Sequence, residues 1–374
     1  MSTTEAITTA NNLFTVDLAR QMNGDQNVVV SPLSIFIALA LICLKAQDTA
    51  EAQMKQVLHF KNCRDIHYGI QRLMSELQRT NDYKLDIENT LFVEETSEIS
   101  KDYMNNYNVW YNSKPEKVDF RNAPKAAWEH INRWLKEKSE GTFQNVPETL
   151  ILNNTKIVVV NTAYLLANWT QSFPKHKTHH VKFTMSTNKK VPVQLMSAVG
   201  RFNLQTITDE KLKILELPYG KTNDLCMYII LPDHSNDLHK VVQSMSYEKL
   251  TNWTDQQYMK RKYTKVFLPH FEIDSAYSMK GILSNLGMPD IFSDTKAKFT
   301  GISEDNLFVS DVISLATVNA DEDGTKDVTN IDDHLGFLSL MLPEVIFTAD
   351  RPFIYVIQHK PTKCYVFYGT FQKP

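Results

Sequence analysis

The chain of 374 residues contains few of the residues that divide or cross-link a structure. It has 11 glycines and 14 prolines, and no linker rich in Gly, Pro or Ser, no charge block and no repeat separates one part from another. We therefore predict a single domain over residues 1–374. The four cysteines lie far apart and form no CxxC pair, which excludes a disulfide framework and a zinc site. We predict free thiols at Cys43, Cys63, Cys226 and Cys364.

An excess of charge and a long apolar run are missing as well. The 40 basic and 43 acidic residues give a net charge of −3, which argues against nucleic acid or a membrane surface as the partner. The longest apolar run, residues 35–44, is too short to span a bilayer, which needs about 20 residues. The first residues have neither a basic flank nor an apolar stretch, so no signal peptide is expected. Two short basic clusters, residues 175–177 and 260–262, are interpreted as solvated surface.

Motifs that would indicate an enzyme are also absent. The sequence has no G-x-S-x-G turn and no H-E-x-x-H pair. Residues 319–324 match the first half of an EF-hand calcium loop, but Asn330 stands where that loop requires a bidentate Glu. His176, His179 and His180 have no carboxylate or Cys patterned around them. We expect no catalytic residue, no cofactor and no metal site.

Hydrophobic spacing predicts helices in the first third of the chain and strands after it, which indicates an α+β fold. Ser31 followed by Pro32 predicts a helix N-terminus, and Asp48 with Glu51 predicts a capping box at the next helix. The β-branched run at residues 157–160 has the composition of a central strand.

The most informative segment is a polar run near the C-terminus, residues 322–343, which begins Glu-Asp-Gly-Thr and is called the long loop below. Loops above about 12–15 residues without their own secondary structure are usually functional or disordered. The long loop ends in apolar side chains of the kind that a protease or a partner groove takes up: Phe337, Leu338, Leu340, Met341 and Leu342.

A series of short motifs resembles the serpin family over essentially the whole chain and in the family's order. The motifs are NVVVSPLSI at 27–35, DTAEAQM at 48–54, VDF at 118–120, INRW at 131–134, SEG at 139–141, VNTAY at 160–164, NW at 168–169, LP at 231–232, LSNLGM at 283–288, FTGI at 299–302, EDGT at 322–325 and ADRPF at 349–353. Each motif alone is weak, but the ordered set is specific. Without a signal peptide, the chain resembles the intracellular-type branch of the family.

The resemblance implies the serpin fold, an α+β arrangement of three β-sheets, eight or nine helices and an exposed reactive-centre loop, here the long loop. It implies a serine protease inhibitor that acts as a suicide substrate, because the cleaved loop inserts into the main sheet and distorts the trapped protease. It also implies a monomer whose partner is a serine protease of the chymotrypsin or elastase type. An extracellular location is favoured, with the cytoplasm as the alternative.

The resemblance also assigns roles to individual residues. The implied hinge of the loop is Glu322, Gly324 and Thr325. The region that opens beneath the main sheet is implied to contain Ser31, Ser34, Asn161 and Trp169.

The reactive bond is predicted to be Leu338–Ser339, with Phe337 and Leu340 as specificity residues. Counting fourteen residues forward from the hinge glycine gives Leu338, whereas counting back from Pro343 gives Ser339. We prefer Leu338, because insertion depth is set from the hinge and a chymotrypsin-type pocket is a hydrophobic slot.

Two departures from the family pattern bear on function. Ser314 stands where the family places a His in the opening region, and residues 326–330 replace the small residues usual after the hinge. Strand side chains alternate, so if Thr325 faces inward on insertion, Asp327 and Asp333 do too. An unpaired buried carboxylate costs several kcal/mol, and we expect insertion to be slow. The alternative is a non-inhibitory serpin acting as a chaperone, carrier or binding protein, while the intact hinge favours inhibition.

Overall fold

The structure is a computed structural model that describes residues 2–143, 145–235, 237–325 and 342–374. Of Thr325 the backbone alone is described. Six residues that carry predictions lie outside these ranges, and their assignments stay predictions: Asp327, Asp333, Phe337, Leu338, Ser339 and Leu340.

Helices dominate the first part of the chain and strands the rest. The α-helices found in the described ranges are α1 (Thr3–Gln21), α2 (Pro32–Cys43), α3 (Asp48–Val57), α4 (Ile66–Leu77), α5 (Lys101–Tyr111), α6 (Pro124–Lys138), α7 (Leu238–Ser244), α8 (Tyr247–Thr254) and α9 (Lys280–Leu286). The β-strands found there are β1 (Val28–Val30), β2 (Tyr83–Glu94), β3 (Glu116–Val118), β4 (Ile157–Asn168), β5 (His179–Thr184), β6 (Lys190–Ile207), β7 (Leu212–Tyr219), β8 (Leu225–Pro232), β9 (Lys260–Pro269), β10 (Phe271–Ser278), β11 (Val309–Ala320), β12 (Gly324–Thr325), β13 (Val345–Thr348), β14 (Phe353–His359) and β15 (Cys364–Phe371).

The starts of α2 and α3 test the two predicted caps. Ser31 is the N-cap of α2, and its Oγ accepts a hydrogen bond from Ser34 N at 3.2 Å, as predicted. The predicted capping box of α3 is wrong, because Gln47 is the N-cap without a side-chain bond and Asp48 has a left-handed φ of 54°. A distant segment fixes this start, since Gln47 N donates to Lys298 O at 3.0 Å.

A six-stranded sheet contains the predicted central strand. Its order is β10-β11-β4-β2-β3, and β12 is added to the end of β4. β4 runs antiparallel to β2, and from Ile157 to Tyr164 it pairs in parallel with β11. Residues 157–160 are fully buried, as expected of a strand covered on both faces, so this prediction is confirmed.

The second sheet has nine strands in the order β1-β15-β14-β8-β7-β6-β9-β13, with β5 paired to β6. The 18-residue strand β6 pairs with β5 along its first residues, with β9 from Leu195 to Leu204 and with β7 at its end. This one long strand joins two of the three implied sheets into a continuous hydrogen-bonded sheet. The predicted α+β architecture is confirmed.

The core lies on both faces of the six-stranded sheet. On one face the main core includes the whole of α2, every residue of which is buried. On the other face α6 covers the sheet, with the Trp134 ring 5.6 Å from Phe92 in an edge-to-face contact. Side chains of β4 alternate accordingly, with Val159 and Leu165 in the main core and Val160 under α6.

Candidate functional site at the loop hinge

The hinge of the long loop is already part of the six-stranded sheet. β12 pairs antiparallel with the end of β4, with Gly324 opposite Asn168 and Thr325 opposite Ala167. Gly324 has a φ of 135°, and a Cβ built on it would lie 2.2 Å from the carbonyl oxygen of Ala167. Only glycine fits this backbone conformation and this close approach.

The turn before the hinge is closed by Asp321. Its Oδ1 accepts backbone hydrogen bonds from Asp323 N at 2.9 Å and from Gly324 N at 2.8 Å. Asp321 N donates to Gly324 O at 3.0 Å. The sequence reasoning did not select Asp321 for the hinge. An Asp three residues before a Gly is nevertheless a turn signal that could have identified it.

Glu322 ties the hinge to the neighbouring sheet. Thr178 Oγ1 donates to its carboxylate at 2.6 Å, and His270 Nδ1 lies 3.4 Å away. Its side chain is 14% exposed. Burial alone raises the pKa of Glu322, but the hydrogen bond from Thr178 and the proximity of His270 bring its pKa below the usual 4.5. Glu322 is therefore held as a carboxylate by partners that local sequence does not reveal.

Trp169 supports the turn from below. Its indole Nε1 donates to Asp321 O at 2.8 Å, and its backbone N donates to Asp323 O at 2.9 Å. The ring is 2% exposed and stacks on Tyr219 with centroids 4.4 Å apart. The predicted opening residue Trp169 and the predicted hinge therefore lie in direct contact.

One of the two sequence clusters interpreted as solvated surface touches the hinge. Lys175 Nζ lies 2.9 Å from Asp323 Oδ2, and both side chains are exposed. An exposed pair of this kind contributes little stability, about 0–1 kcal/mol. Asp323 is thus paired with a neighbouring lysine, whereas Asp321 holds the backbone of the turn.

The other predicted opening residues form a buried polar cluster further down β4. Ser34 Oγ and Ser314 Oγ each donate to Asn161 Oδ1 at 2.9 Å. All three side chains are buried, and among the described residues Asn161 Nδ2 has no hydrogen-bond partner. Ser314, which stands where the resemblance placed a His, is thus part of this cluster, and both N–H groups of the Asn161 amide are left without a partner among the described residues.

Ser31 is joined to this cluster through the backbone N–H of Ser34, which its Oγ accepts at 3.2 Å, and it has no bond to Asn161. Its Oγ donates to Val366 O of β15 at 2.8 Å while capping α2. The structure therefore brings together Ser34, Asn161 and Ser314, and it places Ser31 one turn away. The cluster is seven residues before Asn168 on β4, which corresponds to about 23 Å of extended strand below the hinge.

The described ranges also bear on other kinds of site. Within them, no three His, Cys, Asp or Glu side chains are grouped closely enough to hold a metal ion. None of the helices described there has both the length and the apolar character that crossing a membrane requires.

Known proteins with similar sequences cover the whole chain. The chain is 34% identical to the leukocyte elastase inhibitor of Equus caballus over 384 residues, which is 99% of this chain and 100% of the relative. It is 33% identical to serpin B6 of Pongo abelii over 380 residues, with the same coverage. The solved structure of uncleaved ovalbumin superposes with a TM-score of 0.90 at 27% identity, covering 99% of this chain and all of that one.

These relatives correct the expected location. The extracellular location favoured from the resemblance is wrong, because the relatives matched over the full chain are intracellular-type serpins. The cytoplasm, the alternative, is the location that they support.

The family assignment follows from the match over nearly the full length. The family model described as serpin (serine protease inhibitor) matches residues 9–374. The two relatives above exceed 30% identity over almost every residue of the chain. The chain belongs to the serpin family.

Proposed function

We propose that this protein, a single-domain monomer without enzymatic activity, inhibits serine proteases by acting as a suicide substrate. The observation that carries the proposal is the pairing of β4 with both β12 and β11. The end of β4 pairs with the hinge at Gly324, while its residues from Ile157 to Tyr164 still pair with β11. The loop is thus attached at one end to the site that it would fill after cleavage.

The length of the loop supports insertion over the whole sheet. From Gly324 to Leu338 an extended strand would span on the order of 50 Å at about 3.3 Å per residue. Insertion would add backbone hydrogen bonds between the loop and β4 and would bury the inward-facing side chains of the loop. The intact protein would then be the less stable form, and the energy released would distort the attached protease.

The proposed target class is a protease of the chymotrypsin or elastase type. Leu338 is the residue that would enter the primary pocket, with Phe337 and Leu340 beside it, and a hydrophobic slot accepts such side chains. No Lys or Arg lies between Asp327 and Pro343, so a trypsin-like enzyme has no residue to bind. One relative is named as an inhibitor of leukocyte elastase, which supports this class.

A second function is favoured by the residues that follow the hinge. Asp327 and Asp333 are charged at positions that insertion would bury if Thr325 faces inward. If insertion is slower than hydrolysis of the acyl-enzyme, the protein is cleaved without trapping. It would then act as a non-inhibitory serpin that serves as a chaperone, carrier or binding protein.

The test is incubation with chymotrypsin, pancreatic elastase and trypsin, followed by a denaturing gel. Chymotrypsin or elastase should give a denaturant-resistant complex of the combined size, and the released peptide should begin at Ser339 by mass spectrometry. The matched variant Leu338→Arg should transfer the complex from chymotrypsin to trypsin. Cleaved chain without complex for every enzyme would favour the second function, and a first residue at Met341 or beyond would contradict the assigned bond.

A further inference from the structure

The second basic cluster of the sequence lies where the long loop returns to the fold. β13 follows the loop and pairs in parallel with β9, with Val345 opposite Thr264 and Ile346 opposite Lys265. Glu344 N donates to Tyr263 O at 2.8 Å, so the chain joins β9 one residue past the triplet 260–262. This part of β9 is therefore next to the C-terminal flank of the loop.

Strand register divides the basic residues between two faces of this sheet. Arg201 of β6 lies opposite Tyr263, and residues two apart on a strand share a face, so Arg261, Tyr263 and Lys265 lie on the same face as Arg201. Ile346 shares that face, because it is paired with Lys265. Lys260 and Lys262 point to the opposite face. We call Arg201, Arg261, Lys265 and Ile346 the flank surface.

The flank surface is positively charged and open to solvent. Arg201 and Arg261 are exposed, whereas Lys265 is half-buried, with its Nζ 5.0 Å from the centroid of the Phe267 ring. Glu344, an exposed acid just before β13, has its carboxylate 3.4 Å from Tyr263 N. Ile346 is 58% exposed and Leu342, at the entry to β13, is 91% exposed. Exposed apolar groups with arginine beside them are typical of protein interfaces.

A protease on the long loop must come close to this surface. Glu344 is six positions after Leu338, which is at most about 20 Å of extended chain. Even a small protein domain is about 30 Å across, so an enzyme holding the reactive bond would cover the start of β13. A compact patch of three cations fits an acidic surface on such an enzyme.

We infer that the flank surface is a docking site for an acidic region of the target protease, on the side that holds the leaving part of the substrate. This inference rests on the proposed function for its partner. The three cations would speed the encounter of a negatively charged enzyme and slow that of a positively charged one. The contribution is to the association rate, because insertion of the loop into the other sheet does not involve these residues.

The test compares two forms of one enzyme, chymotrypsin with native lysines and chymotrypsin with succinylated lysines, each titrated for active sites. The variant R201E/R261E/K265E reverses the charge of the flank surface, and R201Q/R261Q/K265Q removes it. The control K61E/R64E/R72E makes the same charge change at exposed residues near α4, which packs against α1 and α5. The second-order rate constant for loop consumption is measured whether the product is complex or cleaved chain.

The unaltered chain should react with succinylated chymotrypsin about tenfold or more faster than R201E/R261E/K265E at about 0.01 M salt, where the Debye length is about 30 Å. The Gln variant should fall between them, the order should reverse with native chymotrypsin, and the differences should vanish at about 1 M salt. Equal losses in the control, or equal rates for all variants, would overturn the inference. If the charge variants react at the rate of the unaltered chain but no longer bind heparin, the flank surface is a site for a polyanion and the inference is overturned.

The two proposals fail in different ways. Rates that follow charge without any covalent complex would leave the flank surface in place and refute inhibition. A covalent complex whose rate ignores charge would support inhibition and refute the flank surface.

Discussion

Glu322 and Thr178 are joined by a 2.6 Å hydrogen bond between residues 144 positions apart in the sequence. The bond ties the residue two before the hinge glycine to the segment that leads into β5. Together with Trp169 under the turn, it determines where the long loop leaves the sheet.

Loss of this bond should loosen the hinge. Thr178→Val removes the donor, and because hydrogen bonds to a charged group contribute about 1.5–3 kcal/mol, exchange of the Trp169 and Gly324 amides should speed up at least about tenfold. Hydrogen exchange with mass spectrometry measures this. Thr206→Val, at an exposed position, should leave the rate unchanged. Equal exchange in both variants would mean that Glu322 does not restrain the hinge.

The same carboxylate predicts a pH dependence. The pKa of folded Glu322 lies below its usual 4.5, so its contribution to stability is complete above that pH and is lost as the pH falls through the folded pKa. Amide exchange at the hinge, corrected for intrinsic rates, should therefore increase on acidification below about pH 4.5. Glu322→Gln should remove most of that dependence. A variant that keeps the full acid response would assign it to another group.

Gly324→Ala should separate the hinge from β4. The added Cβ would meet the Ala167 carbonyl oxygen at 2.2 Å, and a φ of 135° is strained for any L-residue, with a cost of about 1–3 kcal/mol from the backbone alone. Protection of the Trp169 amide should be lost and the urea midpoint should fall. Gly24→Ala is the control, since nothing lies within 4 Å of its Cβ position. A normal midpoint for Gly324→Ala would contradict the hinge geometry.

The buried cluster at Asn161 predicts a graded series. Ser314→Ala removes one of the two hydroxyl hydrogen bonds that Asn161 Oδ1 accepts, and it should lower the free energy of unfolding by about 1 kcal/mol. Asn161→Ala removes both bonds and should cost about 2–3 kcal/mol. Urea unfolding measures both, and Ser284→Ala on an exposed turn of α9 is the matched control. Equal midpoints for Ser314→Ala and the control would show that the cluster adds no stability.

The strand register at the hinge predicts which residues of β4 the loop carboxylates would face after insertion. Continuing the pairs of Gly324 with Asn168 and of Thr325 with Ala167 would bring Asp327 opposite Leu165 and Asp333 opposite Val159 after insertion. Both β4 residues lie in the main core. D327A/D333A should therefore raise the fraction of protease trapped per loop cleaved and the melting temperature of the cleaved form. If neither quantity changes, these two side chains do not face the main core after insertion.

All four cysteines are unpaired, and their environments differ. Burial raises the pKa of Cys63 to about 11 and of Cys43 to about 12, and Cys63 alone is partly exposed. Native protein at pH 8 should label slowly at Cys63 only, and faster as the pH approaches 11. Denatured protein without reductant should label at all four positions by mass spectrometry. A pair that needs reductant would overturn this.

Local sequence sufficed where local chemistry decides the structure. Ser31 caps α2 because a short hydroxyl side chain reaches the N–H three residues on, whatever the rest of the fold does. Residues 157–160 are β-branched and entirely apolar, which suits only a strand covered on both faces. The hinge glycine likewise carries its own signal in a turn sequence.

The predictions that failed concern residues whose partners lie far away in the sequence. Asp48 does not cap α3, because Gln47 is the N-cap and donates its N–H to Lys298 O at 3.0 Å, and the Asp48 carboxylate lies 2.6 Å from Lys298 Nζ, 250 positions away in the sequence. The partners of Glu322 and the place of the triplet 260–262 beside the loop also come from distant strands. Periodicity and caps report on contacts within about one helical turn, so these juxtapositions could not be read from one sequence.

β11 runs parallel to β4, and this pairing lies in the middle of the six-stranded sheet. In the order β10-β11-β4-β2 the outer two pairings are antiparallel and the central one is parallel, the slightly less stable arrangement. Since β12 runs antiparallel to β4, a strand that entered between β4 and β11 would exchange one parallel boundary for two antiparallel ones. Of these three pairings, the parallel one between β4 and β11 is where the proposed mechanism requires the sheet to separate, and both pairings made by the inserted strand would be of the more stable antiparallel kind.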